Sequence, residues 1–332
     1  FMNEFWMNFL ANKTILITGG TGSLGKALIK RLQSQGAKVI VYSRDEGKQA
    51  LTFGGTDVTC VIGDVRDYNK LNTSLRIYQP DYIIHTAALK RIDDMEFHPD
   101  ECIKTNIDGS DNVARAALEN NIKKCILVST DKACKPVNVY GSSKFIAERL
   151  FTNYDYNSPS TIFSSVRYGN VIASRGSFVP LFMDWINKGQ TIRVTSEEMT
   201  RFLFTLNDAV DAVLGALDNA MGGEVFVPQI DSYTLPTCIK ALEKITGKKA
   251  TTQITGLRPG EKLHEDMLAE TELPFTYQVA GINLLQIRPQ YTRRTHSDLD
   301  FKKYNGPHFN SELWVKEDID NLVELINNGL KC

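Results

Sequence analysis

Tyr140 and Lys144 stand at the two ends of Tyr140-Gly141-Ser142-Ser143-Lys144. This spacing puts both side chains on one face of a helix. An unaided tyrosine titrates near about 10, too high for a base at neutral pH, and a cation one turn away favours the phenolate. Thr130, in Ser129-Thr130-Asp131-Lys132, supplies a hydroxyl that could hold a substrate alcohol against that phenolate. Together these groups could take a proton from an alcohol while hydride leaves its carbon. Asp131 and Lys132 form a second acid–base pair. To serve as acid and base, Asp131 must be protonated and Lys132 neutral, with the lysine lowered by desolvation or nearby cations. The alternative for this pair is an ordinary ion pair. Tyr-x-x-x-Lys also occurs by chance on surface helices, so its chemistry depends on a dinucleotide site in the same chain.

Such a site is present in outline. Gly19-Gly20-Thr21-Gly22-Ser23-Leu24-Gly25 follows the apolar run KTILITG and opens the amphipathic run LGKALIKRLQSQG. Glycines at 19, 22 and 25 let backbone N–H groups approach a pyrophosphate at a helix N-terminus. Gly19, Thr21, Gly22, Ser23, Leu24 and Gly25 are therefore the candidate phosphate contacts, and the cofactor would be a nicotinamide dinucleotide. A positive nicotinamide beside Tyr140 would further favour phenolate. At the end of the second strand, where an NAD site usually carries an acid, this chain has Ser43 and Arg44, with Lys48 one turn later. A hydroxyl and two cations suit a 2′-phosphate, which favours NADP; the alternative is two solvated surface charges. Asp64-Val65 ends the third strand, where an acid could accept from adenine. Ala87, Ala88 and Lys90 end the fourth, at the carboxyl edge where such sheets bind ligands.

The elements that must position these groups alternate. KTILITG, KVIVYSR, VTCVIGDVRD, YIIHTAA, KKCILVST and TIFSSVRYG read as buried strands, the last ending near Asn170. Amphipathic helices lie between them, one running from about Pro99 to Asn120. The fold class is α/β, a Rossmann-like doubly wound parallel sheet with a smaller mixed α/β substrate-binding lobe. Residues 12–172 are expected to form the dinucleotide-binding domain and 173–332 the lobe, with a strand near 224–230 a candidate to return to the large sheet. FTLNDAVDAVLGALDNAMGG reads as a helix with an Asn-Asp start and a Gly-Gly stop. Residues 2–11 read either as a short packed helix or as a frayed tail.

Composition narrows the function class. The 332 residues carry a net charge of −1 and are 42% hydrophobic, with a pI near 6.6. That excludes a disordered chain and argues against nucleic-acid or polybasic membrane binding. No apolar stretch reaches the length of a membrane span. The six cysteines form no C-x-x-C pair and no zinc-like cluster, so no metal site is expected. They read as reduced thiols in the cytoplasm, the alternative being a secreted protein with three bridges. His85, inside a strand, reads as a satisfied core group. Cys134 shows no sign of being a nucleophile.

GGTGSLG, Thr130 and YGSSK resemble the extended short-chain dehydrogenase/reductase family, whose members modify nucleotide sugars. GDVRD, AALKRID, STDKACKPVNVYGSSK, RYGNVIASRGS, MTRF and GLRPGEKLHE narrow the likeness to the inverting UDP-N-acetylglucosamine 4,6-dehydratases of the pseudaminic-acid pathway. The likeness runs from about residue 13 to 270 and thins beyond. Asp131-Lys132 is the discriminating pair: family 4-epimerases need no such pair, and dehydratases of simpler hexoses usually have Asp-Glu. Tyr140 supports the soluble inverting group. The resemblance implies that Tyr140 and Lys144 take the carbon-four proton, that Lys132 takes the carbon-five proton, and that Asp131 protonates the hydroxyl leaving carbon six. It places Lys90, Asn170, Arg201, Arg258 and Glu261 at the UDP-sugar. It also implies a homo-oligomer, a dimer through helices near 99–120 and 140–156 or a hexamer. A 4-epimerase, or a 4,6-dehydratase of another UDP- or dTDP-hexose, is the alternative. A redox-sensing binding protein without chemistry is a third reading, though such proteins often lose the tyrosine or lysine that this chain keeps.

Overall fold

A computed structural model describes residues 9–172, 174, 176–296 and 301–331. Apolar runs at β1 (Thr14–Thr18), β2 (Lys38–Ser43), β3 (Thr59–Ile62), β4 (Tyr82–His85), β5 (Lys124–Val128) and β6 (Ile162–Val166) form parallel strands in the order β6-β5-β4-β1-β2-β3. Ile15, Leu16 and Ile17 are all fully buried, because helices cover both faces of the sheet. One face packs α1 (Ser23–Ser34) and the helix Leu206–Asn219. The other packs the helices Tyr68–Tyr78, Gly109–Glu119 and Val139–Asn157.

Beyond β6 the sheet continues. Val225–Pro228 pairs parallel to β6. Leu284–Ile287, Thr276–Val279 and Phe301–Lys303 then extend the sheet antiparallel. All four strands lie beyond residue 172. A separate core joins the helices Phe178–Asn187, Leu235–Thr246 and Ile319–Leu330.

Several local readings change. The region 99–120 is not one regular helix. A turn at Pro99–Cys102 leads into a π-helical stretch, Ile103–Asp108, before the α-helix resumes at Gly109. There Asn106 is fully buried, accepting from Leu89 N–H and donating to Leu89 O and Ser143 Oγ. β6 ends at Val166, and Asn170–Val171 pairs instead with Leu203–Phe204. The helix Leu206–Asn219 is capped by Thr205 with Asp208 in a capping box, one step before the expected Asn-Asp start. The expected packing at residues 2–11 lies mostly outside the described residues; Leu10 is buried in the first core and residues 9–12 form a bend and turn.

Candidate active site

β1 and β4 are neighbours whose following chains leave toward opposite sides, which opens a crevice at their carboxyl ends. The glycine loop fills it. Gly19 has φ +70°, and a Cβ there would lie 2.9 Å from the Ala87 backbone. A Cβ on Gly25 would meet the Gly20 backbone at 2.6 Å. These two glycines let the first helix turn seat against the loop. No side chain caps that helix at Gly22. Its first N–H groups are therefore available to an anion.

The crevice is a cleft of about 180 Å³ that brings together Gly19, Thr21, Ser43, Arg44, Lys48, Asp64, Val65, Ala87 and Ala88. Its cations already have partners. Arg44 lies 3.6 Å from Asp64, and Lys48 lies 2.6 Å from Asp45, whose carboxylate caps the next helix. The buried Ser43 hydroxyl accepts from Gln49. Leu24 packs against the core at the start of the helix and Ser23 occupies its first turn. Lys90 is exposed beyond the cleft.

The second half of the site stands at the end of β5. Thr130 caps a short 3-10 turn, Asp131–Ala133, and its hydroxyl donates to Asp131 Oδ1 at 2.8 Å. Tyr140 and Lys144 project from the first turns of the helix Val139–Asn157, which Asn138 caps by accepting from Gly141 N–H. Burial pushes the Tyr140 hydroxyl up to about 12, while the Lys132 charge and the Thr130 hydroxyl pull it down. The cation that acts on Tyr140 is thus Lys132, where the sequence had pointed to Lys144. Burial pulls Lys144 itself down to about 8, against the opposing pull of Glu148.

Lys132 departs from the expected neutral state. Its Nζ lies 3.1 Å from Asp131 and 3.2 Å from Glu265. Burial alone would lower it, but the carboxylates of Asp131 and Glu265 outweigh burial and the nearby Arg201, and hold the ammonium above the ordinary lysine value. At rest the two form an ion pair, and it has a third member. Glu265, in GEKLHE, was not among the sequence candidates; it is one acid among several in a loop of mixed charge, and nothing in its spacing pointed to Lys132.

On the lobe side, the segment 256–265 clasps the start of the helix Val139–Asn157 and the turn before it. Asn138 Nδ2 donates to Gly260 O, and Lys262 donates to Cys134 O. Gly260 adopts φ +74°, and a Cβ there would touch Asn138 at 3.0 Å. Arg201 is buried and gives its guanidinium to the carbonyls of Thr200, Lys262 and Leu263. Glu261 sits 3.7 Å from Arg201 and 3.0 Å from Arg258, which also pairs with Asp93. The Asn170 side-chain oxygen is buried without a partner among the described residues. His85 is buried between Thr18 and Ser110, and its ring is driven down to about 3 by burial and then by Lys144. Among the described residues, no group of three His, Cys, Asp or Glu could hold a metal, and no helix is long and apolar enough to cross a membrane.

The chain was compared with known proteins. An inverting UDP-N-acetylglucosamine 4,6-dehydratase of Campylobacter jejuni subsp. jejuni serotype O:2 is 41% identical, over 95% of this chain and 98% of that protein. A UDP-glucose 4-epimerase of Rickettsia massiliae is 39% identical, over 79% of each. The X-ray structure of Pen from Bacillus thuringiensis superposes with a TM-score of 0.89 at 32% identity, covering 98% of this chain and 100% of that one. The model of the family described as polysaccharide biosynthesis protein matches residues 15–286, and the chain belongs to that family.

Proposed function

We propose that this chain is an NADP-dependent UDP-N-acetylglucosamine 4,6-dehydratase that inverts carbon five, giving UDP-2-acetamido-2,6-dideoxy-β-L-arabino-hex-4-ulose. The observation that carries the reading is the Asp131–Lys132 pair, buried at the foot of β5 beside Thr130, Tyr140 and Lys144. The relatives named dehydratases support it. An epimerase needs no second acid–base pair there, although the Rickettsia relative keeps that reading as the alternative.

The uncapped helix start, the close approach at Gly19 and the cleft behind it fit a dinucleotide. Arg44 and Lys48 at the cleft rim would turn from Asp64 and Asp45 to a 2′-phosphate. NADP held by the Gly19–Gly25 loop, Arg44 and Lys48 would supply hydride transfer from carbon four to carbon six with no net redox. Tyr140 takes the proton of the carbon-four hydroxyl, held by Thr130, with the Lys132 ammonium favouring its phenolate and Lys144 one turn along the same helix. The resulting ketone acidifies carbon five. A single proton passing from Lys132 to Asp131 across 3.1 Å turns the resting ion pair into the base and acid that elimination needs. Lys132 then takes the carbon-five proton while Asp131 protonates the departing hydroxyl. Tyr140 releases its proton to solvent, and a solvent proton reaching carbon five from the opposite face inverts it. Arg201, Arg258 and Glu261 from the lobe side, with Lys90 and Asn170 from the dinucleotide side, line the sugar-nucleotide site.

We also infer a homo-oligomer paired through the faces that expose Phe97, Ile103, Phe145 and Ile146. Five described cysteines are free thiols, which suits a reducing cytoplasm.

Proton NMR of the protein with UDP-N-acetylglucosamine and NADP tests the reading. The expected product has lost water and gained a carbon-six methyl group, with the stereochemistry at carbon five changed. A product of unchanged mass would make the chain an epimerase, and no conversion would remove the reading.

A further inference from the structure

We propose that Glu265 is a positioning residue for Lys132, closing a carboxylate–ammonium–carboxylate clamp from the lobe side onto the elimination site. This rests on the dehydratase reading above.

The clamp joins two parts of the chain that meet only in the fold. Asp131 reaches Lys132 from the end of β5, and Glu265 reaches it from the segment before the strand Asp266–Leu268. The side chains of Asp131 and Glu265 are 1% and 2% exposed, and that of Lys132 is 14% exposed. Glu265 is held from behind. Its N–H donates to Ser311 Oγ and its carbonyl accepts from Ser311 N–H, each at 2.8 Å. Ser311 in turn bonds Thr200, whose hydroxyl meets His264. The Lys132 ammonium is therefore fixed between two anchored points rather than swinging on a flexible stem.

Here two carboxylates share one ammonium. Among the described residues, Asp131 Oδ2 and Glu265 Oε2 have no hydrogen-bond partner. Buried acceptors left unsatisfied beside a reactive group mark a working site more than a stabilising one. The other charges facing the clamp come from three elements. Arg201 approaches from the strand Thr200–Phe204, and Tyr140 from the long helix. Lys262 lies 3.9 Å from Glu265 Oε2 and 3.6 Å from Asp266, which also pairs with Lys135.

The proton balance closes around Glu265. At rest Lys132 is an ammonium and both carboxylates are charged. One proton moves from Lys132 to Asp131. The carbon-five C–H bond then breaks, its electron pair forms the C5–C6 double bond, and the C6–O bond breaks. The hydroxyl leaves with the Asp131 proton as water. Lys132 holds the carbon-five proton, and the clamp returns to its resting charge. Glu265 stays ionised throughout. It stabilises the ammonium that forms, and it raises the pH at which Lys132 loses its proton.

The test compares wild type, Glu265→Gln and Glu265→Asp with UDP-N-acetylglucosamine. Product formation and solvent deuterium entry at carbon five are followed across pH, and folding is checked by circular dichroism. Glu265→Gln removes the charge that favours the ammonium, so the high-pH limb of the rate profile, where Lys132 loses the proton it must pass to Asp131, should move down by about 1 to 3 units. Its kcat should fall at least about tenfold with KM little changed, because the lost contact is to Lys132 and not to the nucleotide. Glu265→Asp should keep the limb near its wild-type position and lower kcat, since it keeps the charge and shortens the reach. A folded Glu265→Gln with the wild-type limb overturns the proposal. If Glu265→Gln does not fold, Glu265→Asp decides: a wild-type kcat there also overturns it. Wild type that yields no keto-deoxysugar defeats the dehydratase reading, and the inference with it. Wild type that works beside an unshifted Glu265→Gln defeats the inference alone.

Discussion

Gly141 is seated on the carbonyl oxygen of Lys132, where a Cβ would come within 2.2 Å. The helix carrying Tyr140 and Lys144 thus presses directly on the turn carrying Asp131 and Lys132. No side chain fits between them, and this contact fixes the distance from phenol to acid–base pair. Gly141→Ala should push helix and turn apart. The expected cost is about 1–3 kcal/mol, the usual range for overpacking, read as a lower melting temperature. Product formation should fall by about 100-fold, because a shift near one ångström misaligns both proton-transfer groups. A variant with wild-type melting and turnover would show that the contact is slack.

Lys144 is buried, with its amine pulled down to about 8 by desolvation against the pull of Glu148. A lysine lowered in the folded state is an ammonium that folding disfavours. Its penalty is present at neutral pH and is relieved as pH rises from about 8 toward the unfolded value of 10.5. The shift corresponds to about 3 kcal/mol. Lys144→Met should therefore melt at or above wild type at pH 7, with the difference shrinking above pH 8, while losing turnover. Destabilisation at pH 7 would mean that the charge is a net structural asset.

The sequence made the dinucleotide half of this site legible because its signals are local. Gly19 and Gly25 sit where strand, turn and helix follow one another, and Tyr140 and Lys144 are one turn apart. The elimination half was legible only in part. Asp131-Lys132 stood out as a pair, but its charge state depends on Glu265, which only the lobe's packing brings to Lys132. Without that carboxylate, desolvation pointed to a neutral lysine. The π-helical stretch at Ile103–Asp108 was equally hidden, since one extra residue in a turn scarcely disturbs amphipathic periodicity. Arg201 was placed at the sugar nucleotide by resemblance, and spacing could not show that three backbone carbonyls hold its guanidinium.

The proposed preference for NADP rests on Arg44 and Lys48 at the rim of the cleft. Arg44 is about half exposed and its contact to Asp64 is long, at 3.6 Å, so little opposes its turning to a 2′-phosphate. Arg44→Ala and Lys48→Ala should each weaken NADP binding about tenfold or more while changing NAD binding by less than about threefold. Fluorescence titration of purified, nucleotide-stripped protein measures both. Equal losses for the two dinucleotides would place the 2′-phosphate elsewhere and remove the basis for preferring NADP.

Arg201 opposes Glu265. Its charge disfavours the Lys132 ammonium, while its donors tie the carbonyls of Thr200, Lys262 and Leu263 into one buried knot. Arg201→Met should do two separable things. Stability should drop by about 1–3 kcal/mol, because buried carbonyls lose their donors. The high-pH limb of turnover should also move upward, opposite to the direction expected for Glu265→Gln, because the Lys132 proton is held more tightly. Arg201→Lys keeps a charge but cannot reach three carbonyls from one point, so it should recover the limb more fully than the melting temperature. If both substitutions shift stability and leave the limb in place, Arg201 acts on the fold alone, and the charge balance around Lys132 is set by Asp131 and Glu265 without it.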